Sequence, residues 1–135
     1  MITMSFGEFA KGKYDTKNEL HQLYVVIGDK DEVLYVGISK AGIWDRWFGW
    51  RGRMPKNGNG SWFPMDYISV EIVEHLPESL AWTIELWTLS DCLKLFTDVI
   101  KKIGYAPDRL DIGDCEKWMI EKRIPSLNVI HNYHA

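Results

Sequence analysis

Two tyrosines, a glycine and an arginine stand at spacings that suit phosphate chemistry. Tyr35 comes eleven positions after Tyr24, Gly37 two after Tyr35, and Arg46 eleven after Tyr35. Attack of water on a phosphodiester builds charge on nonbridging oxygens, and a cation or donor must neutralise it. Arginine suits this task because its planar fork donates two parallel hydrogen bonds. A tyrosine can position water or, with a lowered pKa, accept its proton. A glycine after a strand lets a phosphate approach the backbone closely. Singly, each is an ordinary strand aromatic or surface arginine; the joint spacing sets them apart.

These residues need elements to hold them. Leu20 to Ile27 and Val33 to Ile38 are rich in β-branched and aromatic residues. Gly28-Asp29-Lys30-Asp31-Glu32 joins them with turn chemistry, which predicts a β-hairpin. Ile43 to about Arg51 reads as a helix with Ile43, Trp47 and Trp50 on one side. The next stretch, PKNGNGSWFP, is an aperiodic loop. Tyr67 to Glu74 alternates apolar and polar residues and predicts a third strand. Pro77 then opens a long helical pattern reaching Lys101 or Ile103 and stopping near Gly104, with Ala81, Ile84, Leu89 and Leu93 as its apolar stripe. A further helix spans about Asp114 to Arg123, and the tail offers a short edge strand. Residues 1–18 read as an extended arm or a short helix. The expected fold is α+β: a small three-stranded, mostly antiparallel sheet flanked by helices, in the order β-β-α-β-α-α.

Between Lys40 and Lys56 the chain is basic. Lys40, Arg46, Arg51, Arg53 and Lys56 face a single Asp45, net +4 within a chain of net charge −3. Trp44, Trp47, Phe48 and Trp50 are interleaved with them. A solvated helix face with its tryptophans packed inward explains this segment alone; beside the tyrosines, phosphate contact becomes the better reading.

Leu23-Tyr24-Val25 and Tyr35-Val36-Gly37, followed by Arg46, resemble the core of the GIY-YIG nucleases. The resemblance covers roughly Leu20 to Asn128 and implies a metal-dependent DNA endonuclease. It assigns Tyr24, or a neighbouring side chain, to activation of the attacking water. Tyr35 and Arg46 would handle the scissile phosphate, with Gly37, Lys40, Arg51, Arg53 and Lys56 as further phosphate or DNA contacts. A glutamate would ligate one divalent ion, Mg²⁺ or Mn²⁺. Two positions match different halves of the family's pattern. Glu85 follows Ala81 by four. Glu116 is followed by Met119, Ile120, Pro125 and Asn128 at the family's spacings. Glu116 has the fuller match and is preferred, with Glu85 as the alternative. About thirty residues, roughly 86–115, would then be a helical insertion in one nuclease domain over 20–135, preceded by an arm over 1–19. Glu85 among apolar neighbours would be costly to bury unless paired or metal-bound. The chain departs from the family at Leu23, Val25 and Trp50; many members carry histidine or tyrosine at the last position. Lys40, Arg51 and the first tyrosine all stand as substitutes for the proton acceptor. Asn128 is expected to fix the chain after Pro125 through side-chain to backbone bonds.

The bulk properties frame this. The 135 residues suffice to bury roughly two-thirds of the unfolded surface. At 46% hydrophobic with seven tryptophans, the chain should pack a core rather than stay disordered. No apolar run approaches the roughly 20 residues that span a bilayer, nor does the N-terminus read as a secretory signal. A cytoplasmic protein without a membrane partner is expected. Cys92 and Cys115 form no CxxC pair and read as buried thiols in a reducing compartment. The four histidines lack zinc spacing. DNA is the implied partner, RNA is also open, and a homodimer could form through exposed tryptophans of the first helix. The alternative keeps the fold and loses the chemistry: a decayed GIY-YIG-like module that binds nucleic acid or protein. A small-molecule-binding domain would explain the tryptophans but not the tyrosine spacing.

Overall fold

A computed structural model describes residues 1–12, 20–40, 42–48, 67–104 and 107–128. The hairpin forms as expected. Strand β2 (His21–Ile27) pairs antiparallel with β3 (Val33–Ile38), setting Tyr24 opposite Gly37, Val25 opposite Val36 and Val26 opposite Tyr35. The turn closes through Gly28 N–H to the Glu32 carbonyl (2.9 Å). Asp31 adopts φ 59°, a left-handed conformation that a short polar side chain tolerates. A bulge leaves Leu34 without a partner across the ladder, so Leu34 and Tyr35 both pack on the same core.

On its other side β2 pairs with β4 (Thr83–Thr88), and β4 with β1 (Ile2–Ser5). The sheet is therefore α+β in context as predicted, but four-stranded and antiparallel, in the order β1-β4-β2-β3. The extra strand comes from the segment expected to be an arm. Ile2–Ser5 forms the sheet edge, and Ser5 then caps helix α1 (Phe6–Ala10), accepting from Glu8 N–H at 3.1 Å. Phe6 and Phe9 are fully buried.

Two predicted elements exchange character. Tyr67–Glu74 is helix α3, not a strand; its buried Ile68 and Ile72 stand four apart, a helical spacing that the short alternation concealed. The predicted long helix from Pro77 is instead a 3₁₀ turn (Glu78–Ala81), strand β4, and two helices, α4 (Leu89–Leu95) and α5 (Thr97–Ile103). A central strand is apolar on both faces, so in sequence it resembles a buried helix. Tertiary burial decides between them. Placed between β1 and β2, the segment buries Ile84 and Leu86 completely, about 1.5–3 kcal/mol each. Helix propensity is at most about 0.7 kcal/mol per ordinary residue. A capping box marks the true helix start: Thr88 Oγ1 accepts from Asp91 N–H, and the Asp91 carboxylate accepts from Thr88 N–H, both at 3.1 Å. As expected, the helical run ends at Gly104, with φ 74°.

Helix α2 (Ile43–Phe48) follows β3, and α6 (Ile112–Arg123) closes the fold behind a second capping box, Asp111 with Asp114. The sheet separates two cores. Tyr24, Val26, Ile84 and Leu86 pack with α1, α2 and α3 on one face. Leu23, Val25 and Val36 pack with α4 and α6 on the other. After α6, Ile124 takes a left-handed turn (φ 47°) and residues 126–128 lie along the outer edge of β3 as a turn rather than the expected short edge strand; residues 129–135 lie outside the described residues. Ser126 N–H donates to the Val33 carbonyl (3.2 Å) and Leu127 N–H to the Leu34 carbonyl (2.8 Å). The Asn128 amide accepts from Val36 N–H (2.9 Å) and donates to the Val36 carbonyl (2.7 Å), which is the fixing role predicted for it. Among the described residues no helix is long and apolar enough to cross a membrane.

Candidate functional site

Strand alternation puts Tyr24, Tyr35 and Gly37 on one face of the hairpin. The tyrosine rings stack with centroids 6.0 Å apart and 28° between planes. Trp47, from α2, meets Tyr24 edge-on at 5.4 Å, and Phe6 meets Trp47 at 5.3 Å. Tyr24 is 1% exposed, whereas Tyr35 is only half-buried and so presents the more open ring. Gly37 has a local cause. A Cβ there would collide with Cζ, Cε1 and Oη of Tyr24, whose phenol lies across the strand. The missing side chain is thus required by the tyrosine opposite. The Trp47 indole N–H, buried beside this stack, has no acceptor among the described residues.

Arg46 sits on α2 between the buried Ile43 and Trp47, on the helix that covers the tyrosine face. Lys40 is exposed in the turn linking β3 to α2. That turn is tied back to β2: Ser39 N–H donates to the Gln22 carbonyl (2.8 Å), and Gln22 Nε2 to the Lys40 carbonyl (3.1 Å). Ser39 Oγ also donates to the Gly42 carbonyl at 2.9 Å. Arg51, Arg53, Lys56 and the PKNGNGSWFP loop lie outside the described residues, as does Trp50.

The two glutamates have different surroundings. Glu85 lies on strand β4 rather than on a helix, opposite Val25, and points away from the tyrosines. It is 8% exposed. Arg123 grips it in a two-pronged pair, Nη1 to Oε1 at 3.0 Å and Nη2 to Oε2 at 3.2 Å, and Trp87 Nε1 adds a third bond to Oε1 at 3.0 Å. Both oxygens are engaged by cation and indole, so nothing in this arrangement asks for a metal. The cost of burying a carboxylate in this segment foretold a partner; Arg123 was not foreseen, because nothing local in sequence links positions 38 apart.

Glu116 is half-buried on α6, four residues from each of Ile112 and Ile120, on the stripe that faces the sheet. Two anchors give the direction of α6. Its C-terminal end leads directly into Ser126, bonded to Val33 at the start of β3. Near its N-terminal end, Cys115 lies against Cys92 in α4, just beyond Thr88, which pairs with His21 at the opposite end of the sheet. α6 therefore runs antiparallel to β3 and carries Glu116 to the end where Ile38 leaves for Lys40 and α2. Its helix packs on the reverse face of the strands that hold the tyrosines. The structure thus gathers Tyr24, Tyr35 and Gly37 on one face under α2 and brings Lys40 and Glu116 toward the end of the sheet where β3 stops, while Glu116 and Glu85 both belong to the reverse face.

Cys92 and Cys115 are buried and free of disulfide. Close contact with the Cys115 sulfur, and then burial, push the Cys92 thiol far above its ordinary range, so it remains a neutral packing group. Among the described residues no three His, Cys, Asp or Glu cluster as metal ligands. No family model, curated protein or solved structure matches the chain.

Proposed function

We propose that this chain is a GIY-YIG-type endonuclease that hydrolyses DNA phosphodiester bonds with the help of one divalent ion. The observation that supports the reading is the stacked pair of Tyr24 and Tyr35 on adjacent strands, covered by the helix that bears Arg46. Lys40 follows in the turn after β3, and α6 carries Glu116 toward that end of the sheet on its reverse face. Glu116 would hold the ion: Mg²⁺ keeps several waters and takes one or two protein oxygens, so a single carboxylate fits its demand. When bound, the ion supplies charge neutralisation at the phosphate and acidifies a bound water. Arg46 clamps nonbridging oxygens through its fork. Tyr35, the more open ring, orients the phosphate, and Tyr24 holds Tyr35 in place from beneath while its hydroxyl serves the water. Lys40, Arg51, Arg53 and Lys56 add backbone contacts that carry no sequence information. A reducing, cytoplasmic setting accords with the buried thiols.

One observation favours the second reading, a binding module with a decayed site. Tyr24 is almost wholly enclosed, as a core residue would be. The two readings part on a plasmid assay. Supercoiled DNA with Mg²⁺ or Mn²⁺ should be nicked or linearised, EDTA should abolish the reaction, and Arg46→Ala and Glu116→Ala should each lower the rate at least about 100-fold. If the folded wild type cuts neither duplex, branched nor single-stranded substrates, the binding module is the better description.

A further inference from the structure

We infer that Glu85 and Arg123 form a positioning pair that fixes α6, and through it Glu116, over the β2–β3 hairpin. The inference rests on the nuclease reading for its consequence in catalysis, but the pair itself is a matter of geometry. Glu85 sits mid-strand in β4, flanked by Thr3 of β1 and Val25 of β2. A carboxylate buried there has no solvent to turn to, so its direction is set by its donors. Two of them come from one guanidinium, which fixes orientation as well as distance. Arg123 is the last residue of α6. Immediately beyond it the chain turns at Ile124 and is bonded to β3 through Ser126, Leu127 and Asn128. The C-terminal end of α6 is thus held to β4 on one side and to β3 on the other by directional bonds.

Toward the other end, Ile112, Cys115 and Met119 are held in an apolar cluster, where Cys115 also meets the Cys92 sulfur of α4. Glu116 lies seven residues before Arg123, about 10 Å along the axis at 1.5 Å per residue. The buried charged pair fixes both distance and angle at the C-terminal end of α6 and so helps to set the tilt of the whole helix. Glu85 touches no reacting group in this account; it acts through Arg123.

The test uses the full chain and five proteins: wild type, Glu85→Gln, Glu85→Ala, Arg123→Ala and the double alanine variant. Three quantities are read: plasmid nicking at saturating Mn²⁺, Mn²⁺ affinity by calorimetry, and amide hydrogen exchange of residues 112–120 without metal. Glu85→Ala and Arg123→Ala should each slow nicking about 10–100-fold, as expected for a misplaced group. They should leave Mn²⁺ affinity within about threefold and speed exchange in α6, and the double variant should be no worse than either single one. Glu85→Gln keeps acceptors for Trp87 and one Arg123 N–H, so it should retain more activity than the alanine variant. Where an alanine variant fails to fold, the glutamine variant carries the comparison. Loss of Mn²⁺ affinity with Glu85→Ala but not Arg123→Ala would overturn the inference and make Glu85 a ligand. Unchanged exchange and nicking in a folded Glu85→Ala would overturn it as well. A wild type that neither nicks nor binds Mn²⁺ instead defeats the nuclease reading, and the exchange rates alone then decide whether the pair holds α6.

Discussion

The two faces of the sheet solve the problem of buried polarity in opposite ways. On the tyrosine face the polar atoms ride on aromatic rings: Tyr24 and Tyr35 stack, and Trp47 and Phe6 continue the array edge to face. On the reverse face a full charge is buried, neutralised by the Arg123 guanidinium and hydrogen-bonded by the Trp87 indole. An aromatic ring contributes burial and a polar tip together, so it can pack in the core with no charge to neutralise. A carboxylate in the same sheet cannot, and its surroundings are committed to satisfying it. The contrast teaches that Glu85, the most buried acid among the described residues, is committed to Arg123 and Trp87, while Glu116 on the same side of the sheet is half-buried.

The largest test of this contrast strikes the charged face. Glu85→Ala should cost about 2–4 kcal/mol in urea unfolding, because it strands the Arg123 guanidinium; some remaining exposure of that side chain (23%) moderates the loss. Replacing both partners by Leu and Met should recover most of it, and a double apolar variant as unstable as the single one would show that the charge is not the issue. On the aromatic face, Gly37→Ala should cost about 1–3 kcal/mol, the price of overpacking against Tyr24. Adding Tyr24→Ala should make the glycine change nearly silent in a double-mutant cycle; additive losses would disprove the contact.

Asn128→Ala removes both bonds to Val36 at the seam between the faces and should lower stability by about 1–2 kcal/mol. The smallest effect concerns pH. His75 Nδ1–H donates to the Glu71 carbonyl at 2.8 Å, and that bond, with nearby Glu71 and Glu74, raises its pKa above 6.5. A raised pKa means that the charged form is favoured by folding. The contribution is complete below the unfolded value and fades as pH rises through the folded one. His75→Gln should therefore melt slightly below wild type in acid and match it in alkali; a difference that grows with pH would contradict this.

The hairpin was legible from sequence because its signals are local. Its β-branched and aromatic runs, broken by a five-residue polar turn, need no distant partner to be recognised. The same holds for the end of α6 before Pro125 and for Asn128; the helix starts at Ile112 behind the Asp111 cap, two residues before the expected Asp114. The sequence is ambiguous where short segments carry a mixed apolar pattern: the TIELWT of β4 also fits a helix, and the YISVEIVE of α3 also fits a strand, since six to eight such residues suit either period. The Thr88 capping box is the local sign of where the helix truly starts.

For the site, the chain's own residues determined which chemistry is conceivable. Tyr24, Tyr35, Gly37 and Arg46 carry their spacing in the primary structure, because neighbouring strands and the next helix bring near residues together. Only the tertiary structure shows what surrounds the two glutamates. Both belong to the reverse face of the sheet, Glu85 gripped by Arg123 in a strand and Glu116 half-buried on α6, and these surroundings depend on contacts between segments far apart in sequence. A buried charge declares in sequence that it must have a partner; the packed fold alone supplies which one.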